Sequence, residues 1–553
     1  MKQTIQAVLK ILTHKEKVKF CLNTSLDFFI GLLDVVFLGL LLVIINFYSV
    51  NQIPANQILK QSQFNKNSLA LITVFLGLYA IKNWLGYRIN QSQNSFFYNV
   101  ASRLSKRGML DYLGNDHFNF INTDSSVYIR KISQQPIEFS NYILTNIQQI
   151  ISQTILIFFT VIGILFYHPS LFISLFILLI PPVVLLGYYI KKKLGEVRAN
   201  SKITSQLTLQ YLKESLSGYV ESNVYEKNDF FTERFYRQQN QLNTYIATQQ
   251  TLQGLPSRLM EVFAVLGFLI LIAINKYFSG NHGIGLLDIG VFMAASYKII
   301  PGIVKILNSR GQIKTYEFTL DDLLYEKEDV INHINSVEAI TSIQFKQIDF
   351  LYRHNQVLDN FCFDMNAGDF VGITGPSGLG KTTIVNLLFG FLEQDGGSII
   401  INNIDTNAIE RQQFWNRISY CKQQPFFIND TILKNITLTD DLYNEERLAD
   451  VLSFCGVDKL LCQYPEGINK LITENGKNIS GGQKQRLMLA RALYHDFDLL
   501  ILDEAFSELD ESAENSLLIK LKLLAQKGKM IILITHNKAS LSYCNKLISL
   551  NGE

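Results

Sequence analysis

Residues 369–382 read DFVGITGPSGLGKT, and the apolar segment TIVNLLFGFL follows at 383–392. The first six residues have the composition of a short buried strand, and the later segment has the apolar spacing of a helix. The loop between them fits the pattern GxxxxGK[ST], which requires this strand-to-helix context. Its glycines let backbone N–H groups surround phosphate groups, and the helix N-terminus adds positive potential. The alternative, a glycine turn with a chance lysine, does not explain why a strand precedes the loop and a helix follows it. The residues predicted to bind phosphate are Gly375, Pro376, Ser377, Gly378, Gly380, Lys381, Thr382 and Thr383.

Two carboxylates, Asp503 and Glu504, follow an apolar run at 499–502 that has the composition of a buried strand. Ligands of open α/β sheets bind at the carboxyl ends of the strands. We therefore predict that Asp503 holds Mg²⁺ through water, together with the hydroxyl of Thr382, and that Glu504 polarises the attacking water. The same dipeptide is also compatible with an ordinary exposed strand end, and the loop at 375–382 favours the functional interpretation.

Residues 478–486 read NISGGQKQR and lead into an apolar helix. This run resembles the signature motif of ABC transporter ATPases, and the other motifs of that family occur in order along the chain. Taken singly, a Tyr in a strand, a Gln in a loop or a His after a strand is usually structural, so it is their joint order that carries the resemblance. The matching residues are Tyr352 (adenine stacking), Gln423 (Q-loop), Glu474 (acidic segment before the signature), Ser507 to Asp510 (D-loop) and His536 (switch histidine).

The resemblance implies that ATP and Mg²⁺ are the cofactors of this site. It implies Glu504, His536 and Gln423 as catalytic residues, and it implies a metal ion held by Thr382, Gln423 and Asp503. The further nucleotide-binding residues that it implies are Tyr352, Ser480, Gly481, Gly482, Gln483 and Asp510. The chain departs from the family pattern at Leu379, Ile479 and Glu508, and none of these changes removes a catalytic group.

Composition separates this sequence from several classes of protein. It has 50 Lys and Arg against 48 Asp and Glu, so the strongly basic balance of a nucleic-acid binder is absent. Its six cysteines include no spacing suited to zinc, and reduced thiols are the simplest interpretation. Because 48% of the residues are hydrophobic, the next question is where along the chain the apolar residues concentrate.

The first half of the chain contains apolar segments long enough to cross a bilayer, which needs roughly 20 helical residues. The first of them is too long for a cleavable signal peptide. Lys298 and Pro301 weaken the last. The six predicted spans lie at 20–48, 69–88, 143–167, 170–190, 257–275 and 283–307.

Positive charges beside these spans predict their orientation, since Lys and Arg are retained on the cytoplasmic side. Residues 88–140 hold six Lys or Arg and residues 191–258 hold ten, whereas the alternate connections are nearly free of them. Both termini are therefore expected in the cytoplasm. The long inner connections should be helical extensions of the spans, with tips near 119–126 and 225–230 that contact a soluble domain. The expected localisation is a cell membrane, with a bacterial inner membrane as the favoured case.

From about residue 341, short β-rich runs alternate with helical patterns, which predicts a largely parallel sheet covered by helices. The predicted fold class is thus a membrane α-helical domain, with six transmembrane helices extended into the cytoplasm, plus an α/β P-loop ATPase domain. The predicted boundaries are 1–310 for the transmembrane domain, 311–340 for a linker and 341–553 for the nucleotide-binding domain.

Six spans before one ATPase on a single chain resemble half of an exporter of the ABC family. The resemblance implies a partner, either a second copy of the chain or a related half-transporter, and the homodimer is the economical choice because all catalytic residues are retained. It also implies membrane lipid and an amphipathic cargo as binding partners, and no nucleic acid. A membrane-bound ATP-gated regulator or channel is the rival class.

Short segments of the membrane half resemble lipid-linked oligosaccharide flippases and related polysaccharide exporters. They are Lys82-Asn83, 216–230 and 297–301. The resemblance implies an amphipathic, possibly anionic, lipid-linked saccharide, with a peptide, another lipid or a drug-like molecule as alternatives.

Charged side chains inside the spans carry two interpretations. In one, Lys82 pairs with Asp34 between neighbouring helices and no net charge is left. In the other, Lys82, Arg88 and Lys298 line a cavity that attracts an anionic headgroup.

Overall fold

The computed structural model describes residues 2–49, 69–114, 123–167, 169–278, 286–324, 338–352, 355–376 and 378–550. The chain divides into two compact units. The first comprises Met1–Asn115 and Ile121–Val330, and the second comprises Asp116–Phe120 and Ile331–Glu553.

Helices make up the described part of the first unit. The long ones correspond to the predicted spans, and they are α2 (His14–Ser49), α3 (Ala70–Leu113), α6 (Thr145–Tyr167), α7 (Pro169–Ser217), α9 (Asn228–Phe278) and α10 (Leu286–Tyr316). The short ones are α1 (Lys2–Ile11), α4 (Ser125–Ile129), α5 (Gln135–Glu138), α8 (Tyr219–Val224) and α11 (Phe318–Leu324).

The lengths of these helices fit a membrane protein. Within the described residues, three helical stretches are long and apolar enough to cross a bilayer: His14–Leu41, Ala70–Leu113 and Ser125–Leu165. At 44 residues, α3 is about 66 Å long, which is twice the roughly 30 Å thickness of a hydrocarbon core. Helices α7 and α9, with 49 and 51 residues, are longer still. Helices α3, α7 and α9 are thus longer than a hydrocarbon core requires, as the predicted extension of the spans needs.

The helical path that leads into α6 contains two widened turns. Residues Arg130–Gln134 and Phe139–Leu144 are π-helical, on either side of α5. Pro136 lacks an N–H group and its ring crowds the turn before it, which accounts for the first widening. Arg130 is 2% exposed and its Nη2 donates to Glu138 Oε2 at 2.9 Å, so an ion pair closes over this first turn.

Strands form the centre of the second unit. They are β1 (Ser342–Tyr352), β2 (Asn355–Asn366), β3 (Phe370–Thr374), β4 (Gly396–Ile401), β5 (Ile404–Thr406), β6 (Ile418–Cys421), β7 (Asp430–Thr431), β8 (Leu471–Ile472), β9 (Leu499–Asp503), β10 (Met530–Ile534) and β11 (Lys546–Ser549). One sheet is parallel, with the order β11-β3-β10-β9-β6. A second sheet, β2-β1-β4-β5, is antiparallel, and β7 pairs with β8.

The antiparallel sheet differs from the largely parallel sheet that the sequence predicted. Strands β1 and β2 are separated by two residues only, which is too short for the crossover that parallel neighbours need. Alternating apolar residues occur in parallel and antiparallel strands alike, so the pattern did not distinguish the two. The predicted fold class itself, a helical membrane domain plus an α/β domain, is confirmed.

The helices of the second unit surround these sheets. They are α12 (Lys381–Leu388), α13 (Ala408–Gln412), α14 (Ile432–Thr437), α15 (Glu445–Cys455), α16 (Val457–Leu461), α17 (Gly481–Tyr494), α18 (Glu511–Gln526) and α19 (Lys538–Leu541). Apolar residues of the parallel strands and of α12, α17 and α18 form the core.

The central strands β9 and β10 are buried at every position. In the sheet register, Ile534 of β10 lies beside Ile373 of β3 on one side and beside Asp503 of β9 on the other. The carboxyl ends of three strands therefore meet at one edge of the sheet, which is where ligands of open α/β sheets bind.

Candidate nucleotide-binding site

The loop after β3 adopts a backbone that glycine permits. Gly378 and Gly380 have φ angles of +87° and +91°, in the left-handed region, and Gly380 immediately precedes α12. A Cβ atom at Gly380 would lie 3.0 Å from Val357 Cγ1, so space is also short there. Ser377 lies outside the described residues. The predicted phosphate loop thus ends at the N-terminus of an eight-residue helix.

Lys381 is 8% exposed and its ammonium group points back over the loop. Its Nζ donates to the backbone oxygen of Gly375 at 2.6 Å and lies 3.4 Å from that of Pro376. It also lies 2.8 Å from Nε2 of His536, and this ring nitrogen must accept because an ammonium can only donate. Of the adjacent threonines, Thr383 is buried and Thr382 is exposed.

Glu504 contacts the other two predicted catalytic residues, Gln423 and His536. Its Oε2 accepts from Gln423 Nε2 at 2.6 Å, and its Oε1 lies 3.3 Å from Nε2 of His536. Because the same Nε2 accepts from Lys381, it does not donate to Glu504, and Gln423, Glu504, His536 and Lys381 form a continuous chain of close polar contacts. These residues come from four separate segments, and the strand ends bring them together.

The backbone of Glu504 is strained. Its φ angle is +50°, which is uncommon for a residue with a side chain. The N–H of Glu504 donates to the backbone oxygen of Ile534 at 3.0 Å, and this bond to the neighbouring strand end holds the turn. The turn directs the Glu504 carboxylate, which is 24% exposed, toward Gln423 and His536.

Asp503, directly before Glu504, is buried at 7% exposure. Burial raises the pKa of its carboxyl group, the hydrogen bond from Tyr420 opposes that rise, and the nearby Glu504 carboxylate adds to it. The Tyr420 hydroxyl donates to Asp503 Oδ2 at 3.2 Å. Burial and the Asp503 carboxylate raise the pKa of Tyr420, so its hydroxyl stays protonated and donates at any physiological pH.

Three predicted residues fit a divalent cation by their chemistry. The Thr382 hydroxyl, the Asp503 carboxylate and the Gln423 amide offer the oxygen donors that Mg²⁺ prefers. Asp503 is a buried carboxylate whose Oδ2 is bonded to Tyr420, so a partly desolvated negative charge stands at the strand edge. Within the described part of the chain, no group of three or more His, Cys, Asp or Glu residues could hold a metal.

The signature segment begins α17 with reciprocal caps. Ser480 N–H donates to Gln483 Oε1 at 3.0 Å, and Gln483 N–H donates to Ser480 Oγ at 3.4 Å. Tyr464 donates to the same Gln483 oxygen at 3.2 Å. The chain of polar contacts around Lys381 includes none of these residues, so within the described residues they form a separate cluster.

The segment 507–510 is attached to this second cluster. Gln485 Nε2 donates to Ser507 Oγ at 2.8 Å, and the N–H of Glu508 donates to Gln485 Oε1 at 2.9 Å. A Cβ atom at Gly481 would lie only 1.3 Å from Glu508 Oε2, so the Glu508 carboxylate rests directly on this glycine. Asp510 caps α18 by accepting from the N–H of Ala513 at 3.0 Å.

Other predicted residues lie apart from both clusters. Tyr352 ends β1, is 42% exposed and contacts Phe350 edge-on at 4.9 Å between ring centroids. Glu474 is exposed in a short 3₁₀ turn before the signature. Tyr420 and Gln485 were missed by the sequence analysis. Tyr420 could have been found from its position in the strand just before Gln423, and Gln485 from its position within the signature run.

Several known proteins are similar to this chain in sequence. The profile described as ABC transporter matches residues 358–507. An export ATP-binding/permease protein of Rickettsia prowazekii (strain Madrid E) is 30% identical over 297 residues, which is 52% of this chain and 51% of that protein. The match thus spans about half the length of this curated relative. An ATP-dependent lipid A-core flippase of Desulfotalea psychrophila (strain LSv54 / DSM 12343) is 27% identical over 442 residues, covering 78% of this chain and 76% of the flippase.

Solved structures give a comparison over nearly the whole chain. A bacterial Atm1-family ABC exporter with ATP bound superposes with a TM-score of 0.77, covering 96% of this chain and 94% of that one. The two sequences are 18% identical, so this likeness concerns the fold alone. Residues 358–507 are therefore an ABC transporter domain, and the chain as a whole has the fold of an ABC exporter.

Proposed function

We propose that this protein hydrolyses ATP and uses the energy to move an amphipathic cargo across a membrane. The observation that carries the proposal is the polar chain Gln423–Glu504–His536–Lys381 at the carboxyl end of a parallel sheet. It joins a phosphate-binding lysine to a carboxylate that has the position of a general base. The apolar helices of the first unit supply the membrane part.

Each residue of the chain has a distinct task in this mechanism. Lys381 binds the β- and γ-phosphates of ATP together with the backbone N–H groups of the glycine loop. Glu504 orients the attacking water and takes its proton, and His536 holds the Glu504 carboxylate and the γ-phosphate in line. The amide of Gln423 donates to Glu504, so its contacts change when nucleotide fills the site. Mg²⁺, when bound by Thr382, Asp503 and Gln423, would neutralise charge on the phosphates.

Two copies of the chain are needed in this proposal. Ser480 caps a helix N-terminus, where backbone N–H groups favour an anion, but it belongs to a cluster separate from Lys381. ABC ATPases solve this by closing head to tail, so that the signature of one copy meets the γ-phosphate held by the other. Because one chain carries the complete set of residues, a homodimer gives two competent sites. Light scattering of the purified protein should report twice the 63.1 kDa of one chain.

The substitution Glu504→Gln tests the hydrolytic step. Loss of a general base lowers turnover by about 10² to 10⁴-fold, and the variant should still bind ATP. The measurement is phosphate release by purified protein in nanodiscs, alongside ATP binding at equilibrium. Glu466→Gln, an exposed glutamate of the same unit, is the matched control and should retain wild-type turnover. Turnover near wild type in Glu504→Gln would mean that another group is the base.

We further propose that the cargo is anionic, as a lipid-linked saccharide with a pyrophosphate linkage would be. Lys82 Nζ lies 2.5 Å from Asp34 Oδ1, and Lys298 Nζ lies 3.6 Å from the same atom. Two ammonium groups thus share one carboxylate, which gives this trio a net charge of +1 among apolar helices. The pairing of Lys82 with Asp34 does not cancel the charge, because Lys298 is also present. Lys298 is 25% exposed, against 6% for Lys82, so it is the more accessible of the two.

Stimulation of ATP hydrolysis by candidate cargo tests this part. Anionic lipid-linked saccharides should raise the rate in nanodiscs, whereas neutral lipids of equal chain length should not. Lys298→Met should reduce the stimulation and leave the unstimulated rate unchanged. Lys314→Met is the matched control, since this lysine is on the same helix and pairs with Glu317. Equal stimulation by neutral and anionic lipids would contradict an anionic cargo.

A membrane-bound ATP-gated regulator without obligatory transport is the second candidate. The complete Gln423–Glu504–His536 arrangement favours steady turnover over simple gating, because a gate needs nucleotide binding alone. The proposed orientation, with both termini and the ATPase domain in the cytoplasm, rests on the positive charges beside the spans. Liposomes that accumulate cargo only when ATP is supplied outside would support the transport function, and accessibility labelling in cells would test the orientation.

A further inference from the structure

Within the described residues, the hydroxyl of Tyr420 donates to Asp503, and Tyr420 has no task in the proposed mechanism. In the parallel pairing of β6 with β9, Tyr420 lies beside Ile501, two residues before Asp503. Side chains two residues apart in a strand point to the same face of a sheet. The register therefore places the Tyr420 ring and the Asp503 carboxylate on one face, and the hydroxyl reaches Asp503 Oδ2 at 3.2 Å.

The ring and the hydroxyl of Tyr420 do different things. The ring packs edge-on against Phe389, with 5.2 Å between centroids, next to the helix that follows the phosphate loop. The hydroxyl occupies one of the two carboxylate oxygens of Asp503. Asp503 is buried, and its other close charges are Glu504, Lys381 and Lys422, which do not fix the rotation of the carboxylate plane. A directional hydrogen bond does fix it.

We infer that Tyr420 is a positioning residue for the divalent cation. By holding Oδ2, its hydroxyl leaves Oδ1 of Asp503 as the oxygen that faces the cation and its water. The inference rests on the proposed function, since it assumes that Asp503 serves a cation bound with ATP. Partners that orient a metal-binding carboxylate from behind typically change metal affinity by about 10- to 100-fold when they are removed.

The substitution Tyr420→Phe removes the hydroxyl and keeps the ring, so the packing on Phe389 is retained. The experiment uses the full chain in nanodiscs with Glu504→Gln, so that ATP is bound and not consumed. Mn²⁺ is titrated at saturating ATP and its bound fraction is read by electron paramagnetic resonance. We expect the Mn²⁺ dissociation constant to rise about 10-fold, the lower end of that range. ATP affinity measured in EDTA should not change.

Tyr543→Phe is the matched control. Its hydroxyl also donates at 3.2 Å to a side-chain oxygen, that of Asn515, in the same unit and away from the strand edge. This variant should bind Mn²⁺ with the wild-type dissociation constant. A second probe, 3-fluorotyrosine at position 420, keeps the shape and the hydrogen bond and should stay within about two-fold of wild type. Because it keeps the hydroxyl, it controls for effects of substitution at this position that do not come from the hydrogen bond.

The outcomes separate this inference from the function on which it rests. If the Glu504→Gln protein with an intact Tyr420 binds ATP but no Mn²⁺, the assignment of Asp503 and the proposed site fails. If it binds Mn²⁺ and Tyr420→Phe binds equally tightly, the inference about Tyr420 is overturned and the proposed function stands. A weakened 3-fluorotyrosine protein would also overturn it, because its hydrogen bond is retained.

Discussion

Asp34 holds two ammonium groups, and its replacement by asparagine should destabilise the helical unit strongly. The carboxylate oxygen Oδ1 lies 2.5 Å from Lys82 Nζ and 3.6 Å from Lys298 Nζ, and Lys82 is 6% exposed. Removing one partner of a buried ion pair costs about 3–5 kcal/mol, because the remaining charge is left uncompensated. As Asp34 is itself 18% exposed, we expect the lower value, about 3 kcal/mol. At roughly 2 °C per kcal/mol for a large domain, the unfolding midpoint should fall by about 6 °C.

The assay is thermal unfolding in detergent, followed by intrinsic fluorescence. Asp27→Asn is the control, since Asp27 lies on the same helix and accepts from neutral amides, Gln93 Nε2 at 2.8 Å and Gln148 Nε2 at 2.5 Å. Its midpoint should fall by less than half as much. The double variant Asp34→Asn with Lys298→Met should recover part of the loss, because one unpaired ammonium group is removed. Equal shifts for the two aspartates, or no recovery in the double variant, would refute the reasoning.

Two further predictions concern the second unit. Gly481→Ala would place a Cβ atom 1.3 Å from Glu508 Oε2, the end of an exposed side chain, so this carboxylate must turn away, and Glu508→Ala should relieve any loss of ATP hydrolysis that this causes in a double-variant rate measurement. Equal losses in the single and double variants would show that the two residues are independent. Burial alone would raise the pKa of Asp369, but the N–H of Asn366 and the ammonium of Lys546 at 3.0 Å outweigh it and lower this pKa. Lys546→Gln should therefore reduce the free energy of unfolding at neutral pH by less than about 1 kcal/mol, and this difference should shrink as the pH falls below about 4, through the lowered pKa of Asp369. A difference that persists at low pH would exclude the ion pair as its cause.

The phosphate loop could be predicted because everything that defines it is local. The strand, the glycines and the first turn of α12 are contiguous, and Lys381 belongs to the same short run. The chain Gln423–Glu504–His536 is different, since Gln423 and Glu504 are 81 residues apart. No periodicity links such positions: the strand end indicated Glu504, whereas only the family resemblance indicated Gln423 and His536 before the strand order brought them together.

In the membrane half too, some contacts could be predicted from the sequence and others could not. Asp27 and Asp34 are seven residues apart and therefore lie on one face of α2, and both contact partners on other helices. The pairing of Asp34 with Lys82 was one of two stated interpretations, because opposite charges in apolar segments attract. The amide partners of Asp27 could not be predicted, since glutamines carry no charge and occur at many positions. The antiparallel sheet was missed for the same kind of reason, as alternation does not encode strand direction.

The two π turns before α6 allow this helix to rotate about its own axis. A π turn holds one residue more than an α turn needs, and returning it to α geometry would rotate everything beyond it by about 100°. The Arg130–Glu138 pair closes over the first turn and opposes its unwinding. The second turn, Phe139–Leu144, contains no charged residue, and Gln148, one turn further on, donates to Asp27 on α2. Rewinding of that one turn would rotate Gln148 away from Asp27 while leaving the residues before Phe139 in place.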